Sequence, residues 1–396
     1  MRLFQQALAV SALNLRNIPQ RLGNSLVIVI GVAGAVAVFI PILVMSISFQ
    51  ATIKGDGSDI RAIVLTQRAT AESESSLTRE EAARIMDYPQ VGRDPRGRPV
   101  ASAELVLVAP VWRKRDRTPV NVTLRGVGAQ YFALRPELKL LSGRMFQPGK
   151  QELIVGTGAV SQFEGLELGD NLRLQDGDWQ IVGTFAGGHG ARESEVIADV
   201  LTVMSAYKFD TFHSLTVALR SPRELADCQA TVSRDSKTIL AARGEPQYLE
   251  LASGSLNRML RLVAYSIGSI MALGALFSAL NSMYSAVAAR SVEMATLRAL
   301  GFSSVAVAGG ILLEALLLAL GGAVSGAALA YALFDGATIS TLGGAVWDSQ
   351  LVYSLYIAPS LVIGVVLLGC LLGVVGGLLP AIRAARANIA TALHEN

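Results

Sequence analysis

Charged residues are scarce in this chain of 396 residues. Only 16% of its side chains are charged and 52% are hydrophobic, whereas about a quarter are charged in an ordinary soluble protein. The net charge is only +3, and the arginines are scattered rather than gathered into a stripe, so no nucleic-acid-binding surface is expected. The shortage of charge indicates that part of the chain is solvated by lipid, although residues 49–258 have the composition of a water-soluble domain.

Cysteine and histidine are scarce as well. Cys228 lies in a polar segment and Cys370 in an apolar run, so the two are expected in different media and not in a disulfide. His189, His213 and His394 lie far apart and show no metal-ligand spacing. The phosphate-binding pattern G-x-x-x-x-G-K-[ST] is absent. The sequence therefore predicts no metal site, no cofactor, no catalytic residues and no nucleotide hydrolysis by this chain itself.

Four apolar runs are long enough to cross a membrane, which takes about 20 residues of helix. Each run alone could be a core helix of a soluble protein, but three of the four fall in the last third of the chain, which favours membrane spans. The first run exceeds the roughly 7–15 apolar residues of a signal peptide and no A-x-A site follows it, so it is predicted to be a retained anchor. The spans are predicted at residues 24–48, 259–289, 305–334 and 355–379.

The basic residues beside these spans predict their orientation, because Lys and Arg in short flanks favour the cytoplasmic side. The segment 335–354 carries Asp335 and Asp348 and no basic residue, so it is predicted to face outward together with residues 49–258. Residues 1–23 are predicted to form an amphipathic helix on the cytoplasmic leaflet, with a frayed tail as the alternative. The basic flanks, including the tail 380–396, put both termini inside: Arg2, Arg16, Arg21, Arg290, Arg298, Arg383 and Arg386.

The segment between the first two spans alternates between helix and strand signals, which predicts an α+β domain. Thr78 with Glu81 forms a capping box that opens one helix, and Ser221-Pro222 is expected to open another that runs to about Ala242. A basic stretch, residues 113–117, is more typical of a solvated hairpin tip than of a partner-binding patch. Strands are predicted at residues 100–111, 120–125, 152–155, 172–175 and 179–182, the first two and the last two as hairpins. The fold class is therefore an α-helical membrane protein with four spans and an α+β domain inserted between the first and second.

A short segment after the second span carries the strongest functional signal. Residues 290–304 are predicted to form a cytoplasmic helix of good helix formers that Gly301 ends. Apolar side chains three residues apart would lie on one face of it and could enter a groove on a partner protein, with opposite charges beside them. From the residues alone, an ordinary helical turn between two spans is an equal alternative. The predicted contact residues are Arg290, Glu293, Met294, Leu297, Arg298, Leu300 and Gly301.

The stretch Arg290–Gly301 resembles the R-x-x-E-[IM]-[AG]-x-L-[RK]-A-[LI]-G signature of the FtsX-like permeases, the family that includes MacB, LolC/LolE and DevC. The order of one span, a large domain and three further spans is similar to that family, as is the ending Pro380–Ala387. Within the domain, Gly149–Gly156 and Leu168–Asp170 are similar to family pieces. The acidic piece Glu193–Asp199 is closest to the DevC branch.

The resemblance implies the permease subunit of a bacterial ABC transporter in the inner membrane, with a MacB-like periplasmic domain. It implies a homodimer whose residues 290–304 couple to a separate ATPase subunit, since the chain begins only about two dozen residues before its first span. Family members of this type transmit ATP-driven closure through their spans to the periplasmic domains. Likeness to the DevC branch further implies a periplasmic membrane-fusion protein as a partner, and export of a substrate.

Glu314 is the ionisable residue that lies well inside a predicted span. A carboxylate there costs about 3 kcal/mol on insertion scales, so Glu314 is expected to face protein, either protonated or partnered. A structural role is favoured over a proton relay because no second intramembrane acid or base could receive the proton. Small residues that recur on the third and fourth spans predict close packing of helices within the chain: Gly321, Gly322, Gly326, Ala330, Gly369, Gly373 and Gly377.

Two other functions stay open from the sequence. A mechanotransducer similar to FtsX itself would use the same motion to switch a periplasmic cell-wall hydrolase, although FtsX domains are usually much smaller than residues 49–258. A membrane sensor without an ATPase is the third possibility, and the helix predicted at residues 290–304 argues against it.

Overall fold

The computed structural model describes residues 22–55, 57–175, 177–187, 190–235, 239–340 and 352–386. The chain divides into two compact units. The sheet unit comprises Ile47–Arg258 and Thr338–Ser354, and the helical unit comprises the other described residues. The amphipathic helix predicted at residues 1–23 and the tail 380–396 lie largely outside the described residues.

The described residues form ten α-helices and thirteen strands. The helices are α1 (Leu22–Gly55), α2 (Arg79–Met86), α3 (Tyr131–Leu134), α4 (Thr157–Gln162), α5 (Val200–Tyr207), α6 (Leu225–Arg234), α7 (Glu245–Ala288), α8 (Ser291–Ala299), α9 (Ser304–Phe334) and α10 (Pro359–Arg386). The strands are β1 (Arg61–Thr66), β2 (Ala101–Arg113), β3 (Pro119–Val127), β4 (Lys139–Gly143), β5 (Glu152–Gly156), β6 (Phe163–Glu164), β7 (Asn171–Leu174), β8 (Gly177–Ala186), β9 (Glu195–Asp199), β10 (Ser214–Ala218), β11 (Leu240–Gly244), β12 (Thr338–Ser340) and β13 (Val352–Ser354).

Four helices in the described part of the chain are long and apolar enough to cross a membrane, as the sequence predicted. The membrane-capable segments are Ser25–Ile53, Leu256–Ala288, Ser304–Phe334 and Pro359–Arg386. Helix α7 begins at Glu245, well before its apolar segment. Its first turns belong to the sheet unit, where Tyr248 is buried in an apolar cluster with Ile63 and Leu65. Helix α10 likewise passes through Pro380 and reaches Arg386.

Small residues let the helices of the helical unit approach one another closely. A Cβ added to Gly322 of α9 would lie 2.7 Å from the carbonyl oxygen of Val29 on α1, and one added to Gly377 of α10 would lie 2.7 Å from the Cβ of Ala315 on α9. Distances of this size are shorter than real Cβ contacts, so only glycine fits. The predicted use in packing within the chain is confirmed for Gly322 and Gly377, whereas it is wrong for Gly321, where an added Cβ would meet nothing within 4 Å.

The sheet unit is built on one mixed sheet of eleven strands in the described residues. Its strand order is β11-β1-β10-β2-β3-β9-β5-β8-β4, with β6 beside β2 and β7 beside β8. The central strands are buried; all five residues of both β5 and β9 are buried. Helices α2, α5 and α6 each bury apolar residues against the core. The α+β prediction is therefore confirmed.

Most of the local predictions in this unit are confirmed. Strands β2 and β3 pair antiparallel around the turn at residues 114–118. Strands β7 and β8 also pair antiparallel. The N-cap Thr78 accepts a hydrogen bond from the Glu81 N–H while the Glu81 carboxylate accepts from the Thr78 N–H. The basic stretch 113–117 does form a hairpin tip, in which Arg113 pairs with Asp116 and Arg117 pairs with Glu164. His189 lies outside the described residues.

The helix expected to run from Ser221 to about Ala242 is wrong in its second half. Helix α6 ends at Arg234, and Leu240–Gly244 form the edge strand β11 instead. This strand pairs with β1, placing Ala62 opposite Gly244. Alternate residues of β11 are buried, so pairing with a distant strand determines its conformation and local helix propensity does not.

The two described ends of the predicted loop 335–354 pair as β12 and β13. Val352 belongs to the main apolar core of the sheet unit, and its backbone N–H and C=O both hydrogen-bond the hydroxyl of Ser194, at 2.8 and 3.1 Å. Tyr353 packs edge-on against Phe49. The segment between the third and fourth membrane-capable helices is thus anchored in the sheet unit; residues 341–351 lie outside the described part.

Candidate functional site

The segment predicted to bind a partner forms a helix of its own. Helix α8 begins directly after Arg290 and is separated from α7 by a turn at residues 289–290. It ends with Gly301 in the left-handed region at φ +94°. The Phe302 N–H donates to the Leu297 carbonyl and the Gly301 N–H donates to the Arg298 carbonyl, which is the Schellman pattern of a glycine-ended helix. The predicted helix and its stop are confirmed.

Arg290 and Glu314, predicted as separate features, form one ion pair. The Nη1 and Nη2 atoms of Arg290 donate to the two carboxylate oxygens of Glu314 at 3.1 and 3.2 Å. Both side chains are almost entirely buried, at 5% and 7% exposure. A two-point contact between a guanidinium and a carboxylate fixes orientation as well as distance. The first residue of the predicted contact segment is therefore tied to the interior of α9.

The ion pair lies in a small polar region of the helical unit. Arg290 and Glu314 line a cavity of about 30 Å³ together with Ser25 of α1 and Ser282 of α7. Tyr284 lies two residues after Ser282 on α7, and Arg383 of α10 lies over its ring, 5.8 Å from the centroid. The cavity thus holds polar groups from α1, α7 and α9 among apolar side chains such as Ile28 and Leu318.

The exposed face of α8 differs from the face expected from the sequence. Met294 and Leu297 are half-buried within the chain, whereas Leu300 is 73% exposed. Val292, not among the predicted contact residues, is 43% exposed. The helix turns Ala295 inward, where it is buried. Residues spaced three and four apart share a helix face, so Val292, Thr296, Ala299 and Leu300 make an exposed stripe beside Glu293.

The structure therefore separates the predicted residues into two groups. The first group faces the chain: Arg290, directly before α8, is paired with Glu314, and Met294 and Leu297 are half-buried. Glu293 and Leu300 face outward with Val292 and Thr296. The pairing of Arg290 with Glu314 could not be read from their 24-residue separation; the available signals were a lone carboxylate inside a span and a basic residue at the end of the preceding one.

The described residues contain no group of three or more His, Cys, Asp or Glu that could hold a metal ion. Cys228 is buried in the sheet unit, and burial raises the pKa of its thiol to about 11. The thiolate is the nucleophilic form of cysteine, so this residue is not poised for covalent chemistry at neutral pH.

Comparisons with known proteins agree with this architecture. Residues 24–234 match the family described as the MacB-like periplasmic core domain, which covers more than half of the chain. Residues 265–389 match the FtsX-like permease C-terminal family. Neither match distinguishes the DevC branch. No curated protein matches the chain significantly.

Solved structures give more distant matches. The extracellular domain of the noncanonic ABC-type transporter YknZ from Gram-positive bacteria is 14% identical; the match covers 46% of this chain and 99% of that one, with a TM-score of 0.36. The periplasmic region of MacB from Actinobacillus actinomycetemcomitans is also 14% identical, with coverages of 53% and 95% and a TM-score of 0.37. TM-scores of this size carry no argument, so the assignment depends on the two family matches.

Proposed function

The chain belongs to the FtsX-like permeases with a MacB-like periplasmic core domain, and we propose that it is the membrane subunit of an ABC transporter that transmits ATP-driven motion to its periplasmic domain. In this proposal the sheet unit is periplasmic, the termini and α8 are cytoplasmic, and the membrane is the inner membrane. The asymmetry of basic residues across the spans supports this orientation. The working assembly is a homodimer with a separate ABC ATPase and a periplasmic membrane-fusion protein, and it exports a substrate.

The observation that carries the proposal is the construction of α8. One face of this short helix exposes apolar residues that a partner would cover, and its base is held by the buried pair of Arg290 and Glu314. A helix anchored in this way moves together with α9 when it is pushed, because a buried bidentate ion pair resists separation. The chain itself has no phosphate-binding loop, so the source of the push is proposed to be a separate ATPase.

The docking of α8 is tested by co-purification in detergent with the ABC ATPase encoded beside this chain. The variant combines Glu293→Arg with Leu300→Asp, which changes the charge and removes the most exposed apolar side chain of the helix. Both positions are exposed, so the variant is expected to fold and to lose the ATPase. A few central residues carry most of the binding energy of an interface, and truncating one of them costs about 2 kcal/mol or more.

The matched control is Leu141→Asp, the same change at a residue of β4 that is 62% exposed. This control is expected to retain the ATPase. Equal retention by both variants would show that α8 is only a turn between two helices. Retention of the ATPase by the native chain also separates the ABC assembly from a membrane sensor that works without one.

Transport and regulation of a cell-wall hydrolase are separated by a different measurement. If the complex is a transporter, ATP hydrolysis in proteoliposomes is expected to rise in the presence of its substrate and membrane-fusion partner. If it is a mechanotransducer similar to FtsX, a hydrolase is expected to bind the sheet unit and to be activated by ATP.

A further inference from the structure

The sheet unit contains a buried network of charged side chains. Four arginines and four glutamates in it are at most 9% exposed. Their charges balance, which a buried cluster requires because an unpaired buried charge is very costly. The members are Arg61, Arg125, Arg135, Arg192, Glu72, Glu104, Glu195 and Glu245.

Arg125 lies at one end of this network. Its guanidinium contacts Glu104 at 2.7 Å, Glu72 at 2.8 Å and Glu195 at 2.8 Å. Burial by itself would raise the pKa of Glu72, but Arg125 and Arg192 outweigh it and lower the pKa to about 2. This glutamate is therefore ionised at neutral pH, and ion pairs hold the network together.

Glu245 lies at the other end of the network and opens α7. Its Oε1 accepts a hydrogen bond from Arg135 Nη2 at 2.9 Å, and its Oε2 accepts from Arg61 Nε and from the backbone N–H of Ser58, the latter at 3.2 Å. A carboxylate at the first residue of a helix is also stabilised by the helix dipole. We use the name Glu245 clasp for these contacts with Ser58, Arg61 and Arg135.

The clasp joins the two places where the chain enters and leaves the main body of the sheet unit. Ser58 and Arg61 follow α1, whereas Glu245 follows β11 and begins α7. One turn further along α7, the hydroxyl of Tyr248 accepts a hydrogen bond from the Glu72 N–H. The Tyr248 ring packs in an apolar cluster with Ile63, Leu65 and Ala69. The first turns of α7 are therefore held to β1 by charge and by apolar contact.

We propose that Glu245 is a positioning residue that fixes the first turns of α7 rigidly to strand β1, so that displacement of this helix moves the sheet unit and does not bend the chain at Gly244. The helix is continuous from Glu245 to Ala288, which makes it the element that would deliver such a displacement. The mechanical use of the clasp rests on the proposed function, whereas its role as an anchor is tested without an ATPase.

The anchor is tested by hydrogen exchange of the full chain in detergent, comparing Glu245→Gln with Glu250→Gln. Glu250 is exposed on the same helix, so it is a matched control for the change of charge. In Glu245→Gln, the amides of residues 249–255 are expected to exchange at least about tenfold faster, because hydrogen bonds to a charged group are stronger than those to a neutral amide. Strands β5 and β8, far along the sheet, are expected to keep their protection.

Unchanged exchange at residues 249–255 in Glu245→Gln would overturn the proposal, and so would uniform loosening of the whole sheet. Should Glu245→Gln fail to fold because Arg135 loses its partner, the double variant Glu245→Gln, Arg135→Gln removes one charge of each sign and keeps the network neutral. It is expected to fold and to show the same local opening. Native-like protection of residues 249–255 in the double variant would equally overturn the proposal.

A second measurement distinguishes positioning from a purely structural role. In the complex with the ATPase, Glu245→Gln is expected to hydrolyse ATP while the ATP-dependent change in exchange of the sheet unit is lost. A full ATP-dependent change in this variant would overturn the mechanical role. Absence of ATPase binding by the native chain would instead contradict the proposed function, and the clasp would still be decided by the exchange of residues 249–255.

Discussion

At the scale of single residues, the pair of Arg290 and Glu314 ties the turn before α8 to the interior of α9. Each charge would be expensive inside the helical unit without the other, and both are shielded from solvent. The pair places the start of α8 at a defined point on α9. The ion pair therefore fixes the position of α8, in addition to any contribution that it makes to the free energy of unfolding.

We predict that Glu314→Leu and Arg290→Leu each lower the stability of the chain by about 3–5 kcal/mol, the cost of leaving one buried charge unpaired. The double variant is expected to lose much less than the sum, because neither charge remains. Thermal denaturation of the four proteins in detergent gives the coupling between the two residues. Additive losses would show that the two side chains do not interact.

Carboxylates of the sheet unit predict an acid limit to its stability. Burial raises the pKa of Glu72 but Arg125 and Arg192 lower it to about 2, and the hydrogen bond from Arg144 is the main reason that the pKa of Glu152 is also about 2. Both values lie below the ordinary 4.5, so the unfolded chain binds protons first as the pH falls. Stability from these groups is complete above about pH 4.5 and is lost between pH 4.5 and 2.

This dependence is measured by hydrogen exchange of β2, β3 and β5 between pH 7 and 3, corrected for intrinsic rates. Protection is expected to hold to about pH 5 and to fall below it. Glu152→Gln is expected to fall less steeply, since it has already lost one of the titrating groups. A pH profile identical to that of the native chain would exclude Glu152 as a contributor, and Glu250→Gln is the control.

At the scale of elements, two neighbouring glycines of α9 differ in what surrounds them. A Cβ on Gly322 would meet the backbone of α1 at 2.7 Å, whereas a Cβ on Gly321 would meet nothing within 4 Å. Gly322 therefore permits the close approach of two helices, and Gly321 does not contribute to it.

We predict that Gly322→Ala destabilises the chain by about 1–3 kcal/mol, the usual cost of overpacking. Gly321→Ala is the matched control and is expected to be neutral or stabilising, because alanine is the better helix former. Unfolding in mixed detergent measures both. Equal effects of the two substitutions would contradict the close contact of α9 with α1.

The elements also show how much the sequence predicts and why the rest escapes it. The four long apolar helices, the hairpin of β2 and β3 and the Thr78 cap follow from local composition and spacing, and these predictions are confirmed. Strand β11 was missed because it depends on pairing with β1, which lies about 180 residues earlier. The buried charge network was missed for the same reason: Arg61 and Glu245 are 184 residues apart. Tertiary proximity of distant residues leaves no local pattern.

The candidate site divides in the same way. A helix with a glycine stop was predicted from the run Arg290–Gly301, since helix ends have local signatures, although the predicted segment 290–304 is longer than the helix Ser291–Ala299. The exposed face was not: Met294 and Leu297 are half-buried, and Val292 is exposed. Which face of a short helix is covered depends on its neighbours, and spacing alone does not determine it.

At the scale of the whole molecule, helix α8 is anchored by the pair of Arg290 and Glu314, and the start of α7 is anchored in the sheet unit by the Glu245 clasp. The family assignment supports an ATP-driven permease, and the two anchors give the proposed motion defined points of attachment. Both anchors are buried ion pairs at the first residues of helices or directly before them. The central claim is that ATP binding to a separate subunit changes the arrangement of the periplasmic domains.

That claim is tested most directly by a distance measurement in the reconstituted complex. A spin label at Leu201→Cys, a residue of α5 that is 52% exposed, is introduced with Cys228→Ala and Cys370→Ala, so that each copy of the dimer carries one label. The account predicts that ATP with vanadate shifts the distribution of distances between the two labels and that Leu300→Asp abolishes the shift. Identical distributions with and without nucleotide, in a complex that hydrolyses ATP, would contradict it.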